Sequence, residues 1–140
     1  MYANKIRLVV TSLGVGVRNA GEIVGVNAGE VLISANGEIQ NSGLINAQHT
    51  QLKADSLNNQ SSGQIQGGQL NIDVHNLSNA GEIVGINDAQ LAINVSGAIQ
   101  NSGLIGGQSL QLKSDRLTNL LAGRIHVPAS VFLSFITGRE

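Results

Sequence analysis

NAGEIVG occupies Asn19–Gly25 and returns unchanged at Asn79–Gly85. The spacing between the copies is 60 residues, and the correspondence runs on beyond them. IQNSGLI at Ile39–Ile45 recurs at Ile99–Ile105, and QLK with Asp two residues later, Gln51–Asp55, recurs at Gln111–Asp115. About 24 of the 42 positions from Asn19 to Gln60 are identical to those from Asn79 to Leu120, far above chance in a chain of this length. The repeat divides the chain into residues 1–18, an incomplete first coil or cap, a first unit at 19–78, and a second unit at 79–140 whose last coil diverges or caps.

A shorter period lies inside each unit. Gly21, Gly43, Gly63, Gly81, Gly103 and Gly123 are separated by about 20 residues, and Ile stands two positions after every one: Ile23, Ile45, Ile65, Ile83, Ile105 and Ile125. An alternating apolar pair follows in each coil: Val31/Ile33, Thr50/Leu52, Leu70/Ile72, Leu91/Ile93, Leu110/Leu112 and Val131/Leu133. Alternation of period two marks a strand with one buried face, here with Gln51, Asn71 and Gln111 turned to water. A third apolar position closes the coil at Ile39, Leu57, Leu77, Ile99, Leu117 and Ile136. Asn follows two residues beyond the first five, at Asn41, Asn59, Asn79, Asn101 and Asn119; Val17 and Asn19 obey the same rule one coil earlier.

Three short strands per coil, about six coils of 18–22 residues, and no run long enough for a stable helix predict an all-β, parallel β-helix (solenoid). The handedness rule for parallel crossovers makes it right-handed. Coils stack at about 4.8 Å, so equivalent side chains form ladders. The core must be aliphatic, because only 2% of residues are aromatic. Asn suits the corner column: it tolerates left-handed turns, and its amide both donates and accepts, so stacked copies can bond to one another. The glycines are expected at tight turns or at positive φ.

Little points to chemistry. The formal charge is -1 and charged residues make up 12%, so the net charge draws the chain neither to nucleic acid nor to anionic lipid. There is no Cys, so disulfides, thiolate ligands and thiol nucleophiles are excluded. No apolar stretch is long enough to span a bilayer as a helix. His49, His75 and His126 fall in different places in their coils and make no metal pattern. Lys53/Asp55 and Lys113/Asp115 read as exposed ion pairs of small energetic weight. Glu22 and Glu82 share a slot but lie three coils apart, about 14 Å at strand spacing, and no carboxylate pair is placed for sugar hydrolysis. No catalytic, cofactor or metal residues emerge, and the chain is expected not to be an enzyme. The candidate residues are the structural ladders of Asn and Ile. At the C-terminal end, Phe132 and Phe135 are expected to cover the last coil or to pack on another chain.

The order Leu-x-Leu, Leu-x-Asn, Gly-x-Ile, clearest in LNIDVHNLSNAGEI (Leu70–Ile83) and LQLKSDRLTNLLAGRI (Leu110–Ile125), resembles the haemagglutinin repeats of filamentous haemagglutinins and of contact-dependent growth inhibition exoproteins. The resemblance covers Val17 to Val127. It implies a large protein at the surface of, or secreted from, a Gram-negative bacterium, exported by an outer-membrane two-partner-secretion transporter. It also implies work as an adhesin shaft or toxin-delivery stalk, with a host or neighbouring cell as partner. Neither a secretion-recognition domain nor a toxin domain is recognisable in the chain. The rival readings are a carbohydrate-active β-helix lyase or hydrolase, and a repeat protein that self-associates end to end.

Overall fold

The computed structural model describes residues 1–126 and 133–137, with the side chains of residues 87–89 and 133–137 left out of the description. Among the described residues the chain is all β, without a helix, and forms a parallel β-solenoid of about six turns. Strands β1 (Tyr2–Val10), β3 (Glu22–Ala35), β5 (Leu44–Asn59), β6 (Gln64–Asn79), β7 (Glu82–Val95), β10 (Ser109–Ser114) and β13 (Leu133–Thr137) pair in that order. The shorter β2 (Val17–Asn19), β4 (Glu38–Asn41), β8 (Ala98–Asn101), β9 (Leu104–Gly106), β11 (Arg116–Asn119) and β12 (Arg124–His126) extend the same stack on the other two faces.

Each coil has three straight segments. In the second and third coils nothing interrupts the strand at the bends, so β5 and β6 each run 16 residues around all three faces. β1, β3 and β7 each continue through the first bend as one strand, and turns separate the remaining segments. Register follows the ladder positions. Ile23 pairs with Ile45, Ile45 with Ile65, Ile65 with Ile83, Ile83 with Ile105 and Ile105 with Ile125. Slipping any strand by one residue would turn its whole apolar set outward, and that penalty locks the stack.

Coil length varies for an identifiable reason. Successive ladder asparagines are 22, 18, 20, 22 and 18 residues apart. Register shifts between Val24 and Glu30, and opposite Gly67 and Gln69, show where the long coils release three extra residues, at 26–29 and 86–89. The fourth leaves at the corners carrying Gly37 and Gly97. The 20-residue coil instead lengthens its turn after Asn59. The core pairing is untouched because all the slack leaves at corners.

The first bulge has a strained residue. Asn27 and Ala28 have φ of 54° and 59°. Asn accepts this region readily, whereas a Cβ there costs about 1–2 kcal/mol. Replacing Ala28 by Gly removes that cost and adds back about 0.4–1 kcal/mol of unfolded-state entropy. Ala28→Gly is therefore expected to raise stability by roughly 0.5–1 kcal/mol, read as a higher denaturant midpoint at unchanged slope.

The core is one continuous aliphatic cluster, in which Ile6 stacks on Val31 and the neighbouring column runs from Leu8 through Ile33, Leu52, Ile72 and Ile93 to Leu112. Thr50 takes a place among Val31, Leu70 and Leu91, and its hydroxyl donates to Gln66 O at 3.2 Å. Two expectations about the end are corrected. Strand pairing sets Leu133 opposite Leu110 and Phe135 opposite Leu112, so the alternating pair is Leu133/Phe135, two residues later than Val131/Leu133. Ile136 lies opposite Lys113 and is not the third apolar position of its coil. Alternation alone does not number the residues released at a corner, so register at this end was open. Phe132 and Val131 lie outside the described residues.

Candidate functional site

The most strongly repeated polar feature is the asparagine column. Asn19 Nδ2 donates to Asn41 Oδ1 at 2.8 Å, Asn41 to Asn59 at 2.9 Å, Asn59 to Asn79 at 2.8 Å, Asn79 to Asn101 at 2.8 Å and Asn101 to Asn119 at 2.8 Å. All five bonds run in one direction along the axis. Each of these amide nitrogens also lies within hydrogen-bond distance of two backbone carbonyls, so its two N–H groups serve three acceptors, one of them shared. Asn79 Nδ2, for instance, reaches Gly81 O at 3.3 Å in its own turn and Leu104 O at 3.1 Å in the next coil. The column thereby ties every turn to the next, in an interior where an unpaired amide is costly. Asn41, Asn59, Asn79 and Asn101 are at most 1% exposed. Asn119 is exposed and Ile125 half-buried, since among the described residues no further coil stacks on these two positions.

Removing a central rung strands its neighbours. Asn79→Ala leaves Asn101 Oδ1 without its donor and Asn59 Nδ2 without its side-chain acceptor. The expected loss is roughly 1–3 kcal/mol. Asn71, exposed on a strand, is the control; equal midpoints for Asn79→Ala and Asn71→Ala would remove the ladder's claim to importance.

The glycine column serves close approach rather than positive φ. Of the described glycines, only Gly14 has φ in the left-handed region. A Cβ on Gly43 would strike Gly21 O, one on Gly81 would strike Gly63 O and Gln60 O, and one on Gly103 would strike Gly81 O. Turns stacked at strand spacing leave room for hydrogen only.

The outer faces hold few charges. Among the described residues the single ion pair is Lys5–Glu30, at 3.6 Å between exposed side chains. The pairs expected within Lys53/Asp55 and Lys113/Asp115 do not form: these charges are exposed, and water competes successfully for them. Glu22 and Glu82 occupy one column with Leu44 and Gln64 between them. His49, His75 and His126 stand in three different columns, and His75 Nδ1 lies 2.8 Å from Ser96 Oγ. No group of three His, Asp or Glu side chains able to hold a metal occurs among the described residues. The surface hollows are shallow. One of about 310 Å³ is walled mainly by the amides of Gln69, Asn71, Gln90 and Gln111, with Ala92 and Ser109 between them, and its lining has no titratable group. Ser114 was not anticipated from sequence. It replaces Val95 in an apolar column, and its buried hydroxyl has no hydrogen-bond partner among the described residues.

No described helix is long and apolar enough to cross a membrane. No family model matches the chain, and no solved structure matches it. Over 47 residues, 34% of its length, the chain is 55% identical to a protein named Toxin CdiA from Yersinia pestis, and it spans 1% of that protein. A parallel β-solenoid with an asparagine ladder, together with this partial likeness, fits a structural segment of an exoprotein of the contact-dependent inhibition and haemagglutinin kind.

Proposed function

We propose that this chain is a shaft segment of a large exported surface protein, an adhesin shaft or toxin-delivery stalk, and that it performs no catalysis. The observation that carries the reading is the destination of the repeated residues. Asn, Gly, Ile and Leu go to ladder, turn and core, where they add length and rigidity coil by coil. Catalysis needs acids, bases or nucleophiles converging on one spot, and the recurrent charges here return only after three coils. The likeness to CdiA supports placement on, or secretion from, a Gram-negative cell, with an outer-membrane two-partner-secretion transporter as the export partner. A host or neighbouring cell is the contacted surface in this reading.

The test uses intact producing cells. Brief protease treatment, followed by immunoblotting with antibody to this segment, is expected to remove the signal while a cytoplasmic marker survives. Complete protection on intact cells but not in lysate would overturn the export reading. Separately, the purified chain is expected to release no new reducing ends from acidic or neutral polysaccharides; sustained turnover would overturn the non-catalytic reading.

A further inference from the structure

The turn that joins β11 to β12 departs from its counterpart one unit earlier. Gln60-Ser61-Ser62-Gly63 becomes Leu120-Leu121-Ala122-Gly123. The backbone is held the same way in both: Gly63 N donates to Gln60 O at 2.7 Å and Gly123 N to Leu120 O at 2.8 Å. Arg124 N then donates to Gly103 O as Gln64 N does to Gly43 O. The leucines are therefore not needed to form the turn.

Nor does packing use them fully. Leu121 has a relative accessibility of 106% and Leu120 of 41%. Leu121 owes this to turn length, whereas Leu120, whose counterpart Gln60 is half-buried, also has no further described coil stacked on it. The tip is two residues longer than the Asn101–Gly103 turn beside it, and Ser61, flanked by short turns on both sides, is exposed too. An apolar pair thus projects from a wall that is otherwise mostly amide and hydroxyl, at a cost in solubility that folding does not repay.

Charge changes in step with the tip. On the two faces that meet there, Ser56 is replaced by Arg116 and Gln64 by Arg124, while Glu38 gives way to Ala98 one coil earlier. Arg116 and Arg124 are both exposed, and neither is in an ion pair with a described carboxylate. Asp115 adjoins Arg116 at the end of β11 farther from the tip, so Arg124, at the start of β12, is the cation nearest the leucines. The first unit carries a single cation, Lys53, against five acids.

We propose that the Leu120–Leu121 tip is a contact point for an anionic lipid surface, the leucines entering the headgroup region and Arg116 and Arg124 pairing with phosphate. Apolar side chains flanked by cations are the combination that partitions to such interfaces, by buried apolar area plus attraction to anionic headgroups. A protein partner would be met by the same leucines but would not require anionic lipid.

The experiment is co-sedimentation of the whole chain with phosphatidylglycerol–phosphatidylcholine vesicles and with phosphatidylcholine alone. Wild type is expected to bind the mixed vesicles preferentially and to be released by salt, as screening requires. The triple variant Leu120→Gln, Leu121→Ser, Ala122→Ser restores residues that this turn already tolerates one unit earlier, so folding is expected to be kept and is checked by the denaturant midpoint. Its partitioning should fall about tenfold or more. The pair Arg116→Ser with Arg124→Gln should abolish the preference for anionic vesicles. Failure of wild type to bind mixed vesicles, equal binding by the triple variant, or equal binding to neutral vesicles would each overturn the proposal.

Discussion

Truncating Ile83 to alanine is expected to destabilise the solenoid by about 2–5 kcal/mol. Ile83 is fully buried and stacked between Ile65 and Ile105. Its removal forfeits the transfer energy of the lost methyl groups and leaves a cavity. Collapse into that cavity is resisted because the backbone on both sides is fixed by ladder hydrogen bonds, so the effect belongs in the upper part of the range. Chemical denaturation with the slope held in view is the measurement. A loss below about 1 kcal/mol would mean that the column is not closely packed. The same change at Ile125, half-buried in the last described coil, should cost markedly less; equal costs would contradict the graded burial.

Gly81→Ala is expected to be about as damaging, although it adds only one methyl group. The new Cβ would meet Gly63 O, Gln60 O and the Asn59 amide nitrogen. Two of these are backbone atoms in a stacked turn and cannot rotate away. Relief requires the coils to separate at this corner, which also lengthens the Asn59–Asn79 bond. We expect a loss of about 3 kcal/mol, the upper end for overpacking. Gly21→Ala is the control: it has the same place in the repeat and nothing within 4 Å of its Cβ. Similar midpoints for the two variants would show that backbone conformation, not stacking, selects glycine here.

That contrast separates what can be read along a chain from what cannot. Ile at a constant offset from Gly, alternation of period two, and Asn at the close of each coil made the architecture, the core columns and the ladder positions legible. Each is a local pattern repeated in register, and a one-residue error would invert buried and exposed faces. The 60-residue identity likewise needed only comparison of the chain with itself.

Other features depend on the neighbouring coil. Glycine was required by a carbonyl about 20 residues earlier in sequence and one strand away in space, a contact that no local spacing reveals. The charges at Lys53 and Asp55 looked paired in sequence, but exposed side chains choose between water and a partner only in three dimensions. The register of Leu133 and Phe135 rested on how many residues leave at the preceding corner, which is decided by pairing with Leu110 and Leu112. The tip leucines were visible as letters, but their significance was not: only the stacked turns show that Leu120 and Leu121 occupy a turn with the same backbone hydrogen bonds as that of Gln60 and Ser61 and are exposed there. Repetition determined the ladders because stacking reads equivalent positions. The tertiary structure decided clearance, pairing and exposure because these are distances between coils.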